Sequence, residues 1–209
     1  MENVEKKPTL GRKIFIAAGL FLILVALPAV SWIYLRNGLN WRKEAIAELA
    51  NYGKIGKATI IWPDGSWEDQ LKSKVVVVHI FGENPDLTDA NRQVLDTAEK
   101  LFNQFGKTNE FRLAMIASGG TAEFRSYFQK MPSAEHATWV WSGGLGSWRT
   151  IMLNGYESYC LAEDVKPDPV YFALADTSGT IRRFYNALDQ KQVDRMVQHI
   201  AILLPPAAQ

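Results

Sequence analysis

The hydrophobic positions of this chain fall into one long uncharged block, several short β-branched runs and several stripes with helical spacing. Residues 14–35 carry no charge and match the roughly 20 residues that cross a bilayer as a helix. Trp32 and Tyr34 stand where an interfacial aromatic belt belongs, and Arg36 closes the block. Residues 74–81, Lys-Val-Val-Val-Val-His-Ile-Phe, form an unbroken apolar run that predicts a central strand covered on both faces. Gly82 ends that run. After the loop Glu83-Asn84-Pro85-Asp86-Leu87, Thr88 or Asp89 caps a helix whose stripe is Val94, Leu95, Ala98, Leu101, Phe102 and Phe105, with Gly106 as its stop.

The rest of the pattern reads in the same way. Residues 58–62 suggest a strand, followed by the turn Pro63-Asp64-Gly65. Residues 111–117 form a second apolar run, bounded by Gly119-Gly120, which reads as a parallel strand reached by a βαβ crossover. Thr121 caps a helix with Phe124, Tyr127, Phe128 and Met131 inward, and Pro132 ends it. Residues 138–141 make a third strand, and Ser147 caps a helix through Trp148, Ile151 and Met152. Residues 169–175 and 180–185 flank the turn Asp176-Thr177-Ser178-Gly179 as a β-hairpin. Asp189 caps a last helix with the stripe Val193, Met196, Val197, Ile200 and Leu203, and Pro205-Pro206 terminates it. Residues 37–56, with Trp41, Ile46 and Leu49 among charges, read either as an amphipathic helix at a membrane surface or as a solvated spacer. The organisation is therefore a tail 1–13, an anchor 14–35, a juxtamembrane segment 36–57, an α/β domain 58–204 and a tail 205–209.

Charge sets the expected topology. Lys6, Lys7, Arg12 and Lys13 precede the span, against Arg36, Arg42 and Lys43 after it, and the tail is too short to hold a domain. This predicts a single-pass protein of the cytoplasmic membrane, N-terminus inside and globular domain outside the cytoplasm. The alternative is a cleaved signal peptide with its small residues at Ala29-Val30-Ser31, but the apolar run continues past them to Leu35.

Composition narrows the chemistry. A hydrophobic content of 47% in 209 residues suits a packed core, and a net charge of +1 gives no basis for nucleic-acid binding. The single cysteine, Cys160, excludes an intrachain disulfide, a cysteine zinc cluster and dithiol chemistry within one chain. Its neighbours Tyr156, Tyr159 and Leu161 predict a small buried hydrophobe, with a reactive thiol or an intermolecular disulfide as the alternative. His79, His136 and His199 lack metal-pair spacing; a buried, hydrogen-bonded His79 and two surface histidines are expected. Glu83, Asp86, Asp89 and Asp168 suggest a hard-cation site or an acid/base pair, against a plainer reading in which they shape the loop and complement the helix dipole. The plainer reading is preferred. The glycine-rich 142–147 lacks the Lys-Ser/Thr ending of a phosphate-binding loop.

Two stretches resemble a known family. A strand ending in Phe, then Cys-Pro-x-x-Cys and a long helix, is the junction of Sco/SenC proteins, thioredoxin-like copper-delivery factors of cytochrome oxidase assembly. Asn84-Pro85-Asp86-Leu87-Thr88 resembles it with Asn84 and Thr88 in the cysteine positions. Residues 171–182, Tyr-Phe-Ala-Leu-Ala-Asp-Thr-Ser-Gly-Thr-Ile-Arg, are similar to the family's C-terminal hairpin, and its histidine ligand falls at Asp168. The resemblance implies a thioredoxin-like fold, a central mixed sheet flanked by helices, behind an N-terminal transmembrane helix. It also implies a degenerate site: amide, hydroxyl and carboxylate replace two thiolates and an imidazole, so copper binding, another metal or a cofactor is not expected. A non-catalytic assembly or docking factor with a protein partner is the first functional expectation. A metal-binding or redox protein using the loop 83–89 or Cys160 is the second.

Overall fold

The computed structural model describes residues 10–55, 61–62, 65–66, 71, 73–129, 138–141, 145–166 and 170–205. The chain divides into two compact units, Met1–Glu44 and Ala45–Gln209. Helix α1 (Leu10–Phe21), a π-helical turn (Leu22–Ala26) and helix α2 (Leu27–Ala47) follow one another without a break in helical backbone. Within them Ile14–Ala47 is long and apolar enough to cross a membrane, with a mean hydropathy of 2.6 and none of its apolar window buried.

The second unit is built on a five-stranded sheet of order β5-β4-β3-β6-β7. Its strands are β3 (Val75–Glu83), β4 (Phe111–Ser118), β5 (Thr138–Trp141), β6 (Tyr171–Ala175) and β7 (Ile181–Asn186). A separate two-stranded ribbon pairs β1 (Ile61–Trp62) with β2 (Gly65–Ser66). β3 is central, parallel to β4 and antiparallel to β6; β5 is parallel to β4, and β7 antiparallel to β6. Helices α3 (Asp89–Phe105), α4 (Ala122–Gln129) and α5 (Leu145–Glu163) connect the strands, and α6 (Gln190–Leu203) ends the domain. This strand order, with a β-hairpin and a helix after the parallel units, is the thioredoxin-like arrangement.

The alternation of β3 explains the layering. Val75 and Val77 face a core with Leu95, Ala98 and Leu101 of α3, Phe124 of α4 and Met196 and Ile200 of α6. Val76 and Val78 face the other core, with Met152, Tyr156, Tyr159 and Cys160 of α5. All four valines are at most 1% exposed, so the uninterrupted apolar run has the physical cause expected of it. The pattern ends the strand at Phe81, but β3 reaches Glu83 because the register slips between Ile80 and Gly82, a bulge that lets the strand turn without losing its partner. α5 also begins at Leu145, ahead of Ser147, and runs on to Glu163. Cys160 is buried within that helix, as its neighbours suggest.

Two polar arrangements hold the C-terminal half. In the β6–β7 turn, Asp176 Oδ1 accepts from Ser178 N, Ser178 Oγ and Thr180 N, and Oδ2 accepts from Arg182 Nε at 2.7 Å. Burial works to raise the Asp176 pKa, and these donors overcome it to give a net lowering. The second arrangement closes the sheet edge: Ala50 N and Tyr52 N donate to Arg182 O and Ile181 O, Ile181 N donates to Gly53 O, and Ile55 N donates to Gly179 O. Glu48 fastens this strap, pairing with Arg195 of α6 and lying 3.6 Å from both Arg183 Nη1 and His199 Nε2. Tyr52 Oη donates to Glu163 Oε1 at 3.1 Å.

His199 corrects the expectation of a surface histidine. It is 0% exposed, because it lies three residues after Met196 and next to Ile200, on the stripe that α6 turns inward, and its Nδ1 is 2.7 Å from Tyr185 Oη. His79 is buried and hydrogen-bonded as expected. The β3–β6 ladder stops at Val78 and Ala173, and one residue on the His79 Nδ1–H donates to Tyr171 O at 2.7 Å, replacing a backbone bond by a side-chain one. His136 lies outside the described residues.

Both buried histidines make folding sensitive to acid. Burial, opposed in part by the bond to Tyr171, lowers the His79 pKa from 6.5 to about 4. Burial and then Arg195 lower His199 to about 4 as well, against the pull of Glu48. The unfolded chain takes up protons from pH 6.5 downward and the folded one only near 4, so this stability is complete above 6.5 and is lost as pH falls toward 4. For His79 the loss is on the order of 3 kcal/mol. Urea unfolding of the Ala45–Gln209 unit at pH 7 and pH 4.5 should show this decline, and His79→Phe should flatten part of the slope. Asp176→Ala, which strands the turn donors and Arg182, should cost roughly 2–4 kcal/mol at pH 7 in the same assay.

Candidate functional site

The carboxyl ends of adjacent parallel strands β3 and β4 each open into a helix, and the two loops meet. This is where α/β folds gather helix N–H groups. Four residues there have positive φ: Gly82 (87°), Asn84 (47°), Gly119 (74°) and Gly120 (128°). The two loops are joined by Thr121 N donating to Pro85 O at 3.1 Å, and Pro85 itself is buried. A Cβ on Gly119 would overlap Asn84 Oδ1, and one on Gly120 would come within 3.3 Å of Pro85 O. Glycine is therefore required at 119 both by backbone conformation and by the side chain that lies over it.

Each expected site residue except Asp168 has a definite place in this junction. Asn84 adopts the left-handed conformation, which its short amide tolerates better than most side chains, and it packs on Gly119. Thr88 is the N-cap of α3: its Oγ1 accepts from Asn91 N at 3.2 Å, and its carbonyl accepts from Arg92 N at 2.9 Å. Asp86 presents its carbonyl to Asn91 Nδ2 at 2.7 Å. Glu83, Asp86 and Asp89 are exposed, with Asp89 in the first turn of α3 where a carboxylate complements the helix dipole. Asp168 lies outside the described residues. Among the described residues, no group of three or more His, Cys, Asp and Glu side chains lies close enough to hold a metal ion.

His79 and Phe81 form the floor behind the junction. Their rings are 4.5 Å apart, and Phe81 meets Phe124 of α4 edge-on at 5.0 Å. With Nδ1 protonated toward Tyr171 O, and burial holding the ring neutral, His79 ties β3 to the start of β6. The sequence signals this residue only as the polar member inside the apolar run 75–81. The contact of Asn84 with Gly119 has no local signal, because its members are far apart in the chain.

The junction offers amide, hydroxyl, carboxylate and backbone groups, but no thiol. Cys160 sits in α5, in the core with Tyr52, Tyr156 and Tyr159, rather than in the core that α3 covers. What the arrangement can do chemically is present hydrogen-bonding groups on a fixed backbone.

No protein-family model and no curated protein matches the chain. Solved structures do. A SCO1/SenC family lipoprotein from Bacillus anthracis is 13% identical, with a TM-score of 0.46, over 65% of this chain and 84% of that one. BsSco, a member of the Sco family of cytochrome c oxidase assembly proteins, is 12% identical, with a TM-score of 0.43, over 64% and 82%. A putative protein disulfide isomerase from Bacteroides thetaiotaomicron is 17% identical, with a TM-score of 0.43, over 65% and 77%. The Sco/SenC and thioredoxin-like proteins are thus among the chain's structural neighbours at low identity, and its thioredoxin-like fold stands on its own strand order.

Proposed function

We propose that this protein is a membrane-anchored, non-catalytic thioredoxin-like factor that docks a protein partner in assembly at the outer face of the cytoplasmic membrane. The thioredoxin-like fold suits a redox or an assembly role, and the chemistry of the junction favours the second. The observation that carries the reading is the use made of residues 84 and 88. The Asn84 side chain packs over Gly119 and the Thr88 hydroxyl caps α3, so both groups at the family's cysteine positions shape the loop. An amide and a hydroxyl form no disulfide and give Cu(I) no soft ligand. The resemblance of residues 171–182 to Sco/SenC proteins supports respiratory-oxidase assembly as the setting. The uncharged span 14–35 behind a basic tail supports the anchor and its orientation.

The topology is tested by adding protease to spheroplasts: digestion of Ala45–Gln209 is expected, and full protection would reverse the orientation. For the chemistry, the full chain should bind no stoichiometric Cu(I) in a chromophoric-chelator competition and should not reduce insulin disulfides. Cu(I) binding that Cys160→Ser abolishes would relocate the site to α5. The combined change Asn84→Cys, Thr88→Cys and Asp168→His should introduce Cu(I) binding at a cost in stability. A cysteine at a φ of 47° and the lost cap together should lower folding by roughly 2–3 kcal/mol.

A further inference from the structure

The helical backbone is irregular at one place, and that place is the middle of the apolar block. Leu22–Ala26 is a π-helical turn, in which the Leu27 N–H reaches back to Leu22 O. A regular helix would give that N–H to Ile23 O. One residue later comes Pro28, which has no N–H to offer Leu24 O. Ile23 O and Leu24 O therefore both lack the donors that an unbroken α-helix supplies. Leu24 and Val25 are the two central residues of the block 14–35, so the unsupplied carbonyls fall at its midpoint.

In water such carbonyls are hydrated at little cost. In hydrocarbon they are not, and breaks of this kind persist where a neighbouring helix, a hydroxyl side chain, ordered water or a local π adjustment supplies the missing donor. The π turn does not serve Ile23 O, whose π donor would be Pro28, and residues 20–27 carry no hydroxyl, which leaves a neighbouring helix. From this, and resting on the reading that residues 14–35 span the membrane, we infer that the notch at Ile23 and Leu24 is the docking point for a transmembrane helix of another protein, one that presents a hydroxyl or amide donor at mid-bilayer.

The chemistry of the span itself excludes a second copy in parallel as the occupant. Residues 20–27 are Leu, Phe, Leu, Ile, Leu, Val, Ala and Leu, with no side-chain donor at that depth. Ser31, Trp32 and Tyr34 lie one to two helical turns nearer the end of the block, beside the interface. A copy of this chain at the same depth brings only more apolar surface and the same unsupplied carbonyls. A serine or threonine of a different helix meets the need.

The test uses the full chain, fluorescently labelled at its N-terminus and reconstituted in phosphatidylcholine vesicles. The probes are two acceptor-labelled, leucine-rich transmembrane peptides, one with serine and one with alanine at the midpoint. Energy transfer should show the serine peptide associating roughly threefold to tenfold more tightly than the alanine peptide. Pro28→Leu and Pro28→Ala, each restoring an N–H, should bring that ratio to about one. Equal association of the two peptides with the unsubstituted chain, or an undiminished preference in both variants, would overturn the inference. Transfer between unsubstituted copies that Pro28→Leu abolishes would assign the notch to self-association and overturn it too. Flotation and oriented circular dichroism of the same vesicles separate the two levels. A chain that does not insert defeats the spanning reading and the inference together, whereas a chain that inserts without preference defeats the inference alone.

Discussion

Val75, Val76, Val77 and Val78 alternate between two hydrophobic cores, and the helices and strands packed against them have to cover both faces and both edges of the strand they form. Each fully buried valine is worth roughly 1.5–3 kcal/mol relative to exposure, but only if both faces are covered at once. α3 and α6 cover one face and α5 the other. β4 and β6 satisfy the backbone on either side, in parallel and antiparallel sense. The thioredoxin-like layering is in this sense a consequence of one strand that has no face to give to solvent.

The same constraint explains why the junction at the end of β3 is tight. A strand buried on both sides has to leave the core quickly, and it does so through a bulge at Phe81 and a glycine at 82 whose φ is 87°. The loop then lies against the parallel strand's own exit at Gly119-Gly120. Asparagine at 84 suits a left-handed backbone, and threonine at 88 suits a helix cap, so both residues can be explained by local conformation without any chemistry. Both side chains therefore have a conformational role in the loop, while Glu83, Asp86 and Asp89 stand exposed around it.

What the sequence revealed depended on whether the cause was local. β3, the α3 stripe, the caps at Thr88, Thr121 and Asp189 and the β6–β7 hairpin were legible, because each is set by residues a few positions apart. The strap at 50–55 was not, since it joins the edge of β7 through backbone groups and carries no apolar period. His199 is legible in principle, three residues from Met196 on a buried stripe, but a stripe drawn from apolar residues alone leaves it out. At the site, the helix-capping role of Thr88 was visible; the clasp of Asn84 on Gly119 was a long-range contact and was not.

The strap also changes what the chain after the apolar block is for. Glu48, Ala50 and Tyr52 are structural parts of the domain: the first holds Arg195, the second bonds to the edge of β7, and the third fills the α5 core and bonds to Glu163. Residues that follow a span as a spacer can be shortened or replaced freely. These cannot, because removing them would expose the outer edge of β7, leave Arg195 and Arg183 without Glu48, and open the space in front of Gly155, where Tyr52 O lies 2.9 Å from where a Cβ would stand. An open sheet edge is a template for unwanted pairing. The domain is thus closed along this edge by the residues that follow α2.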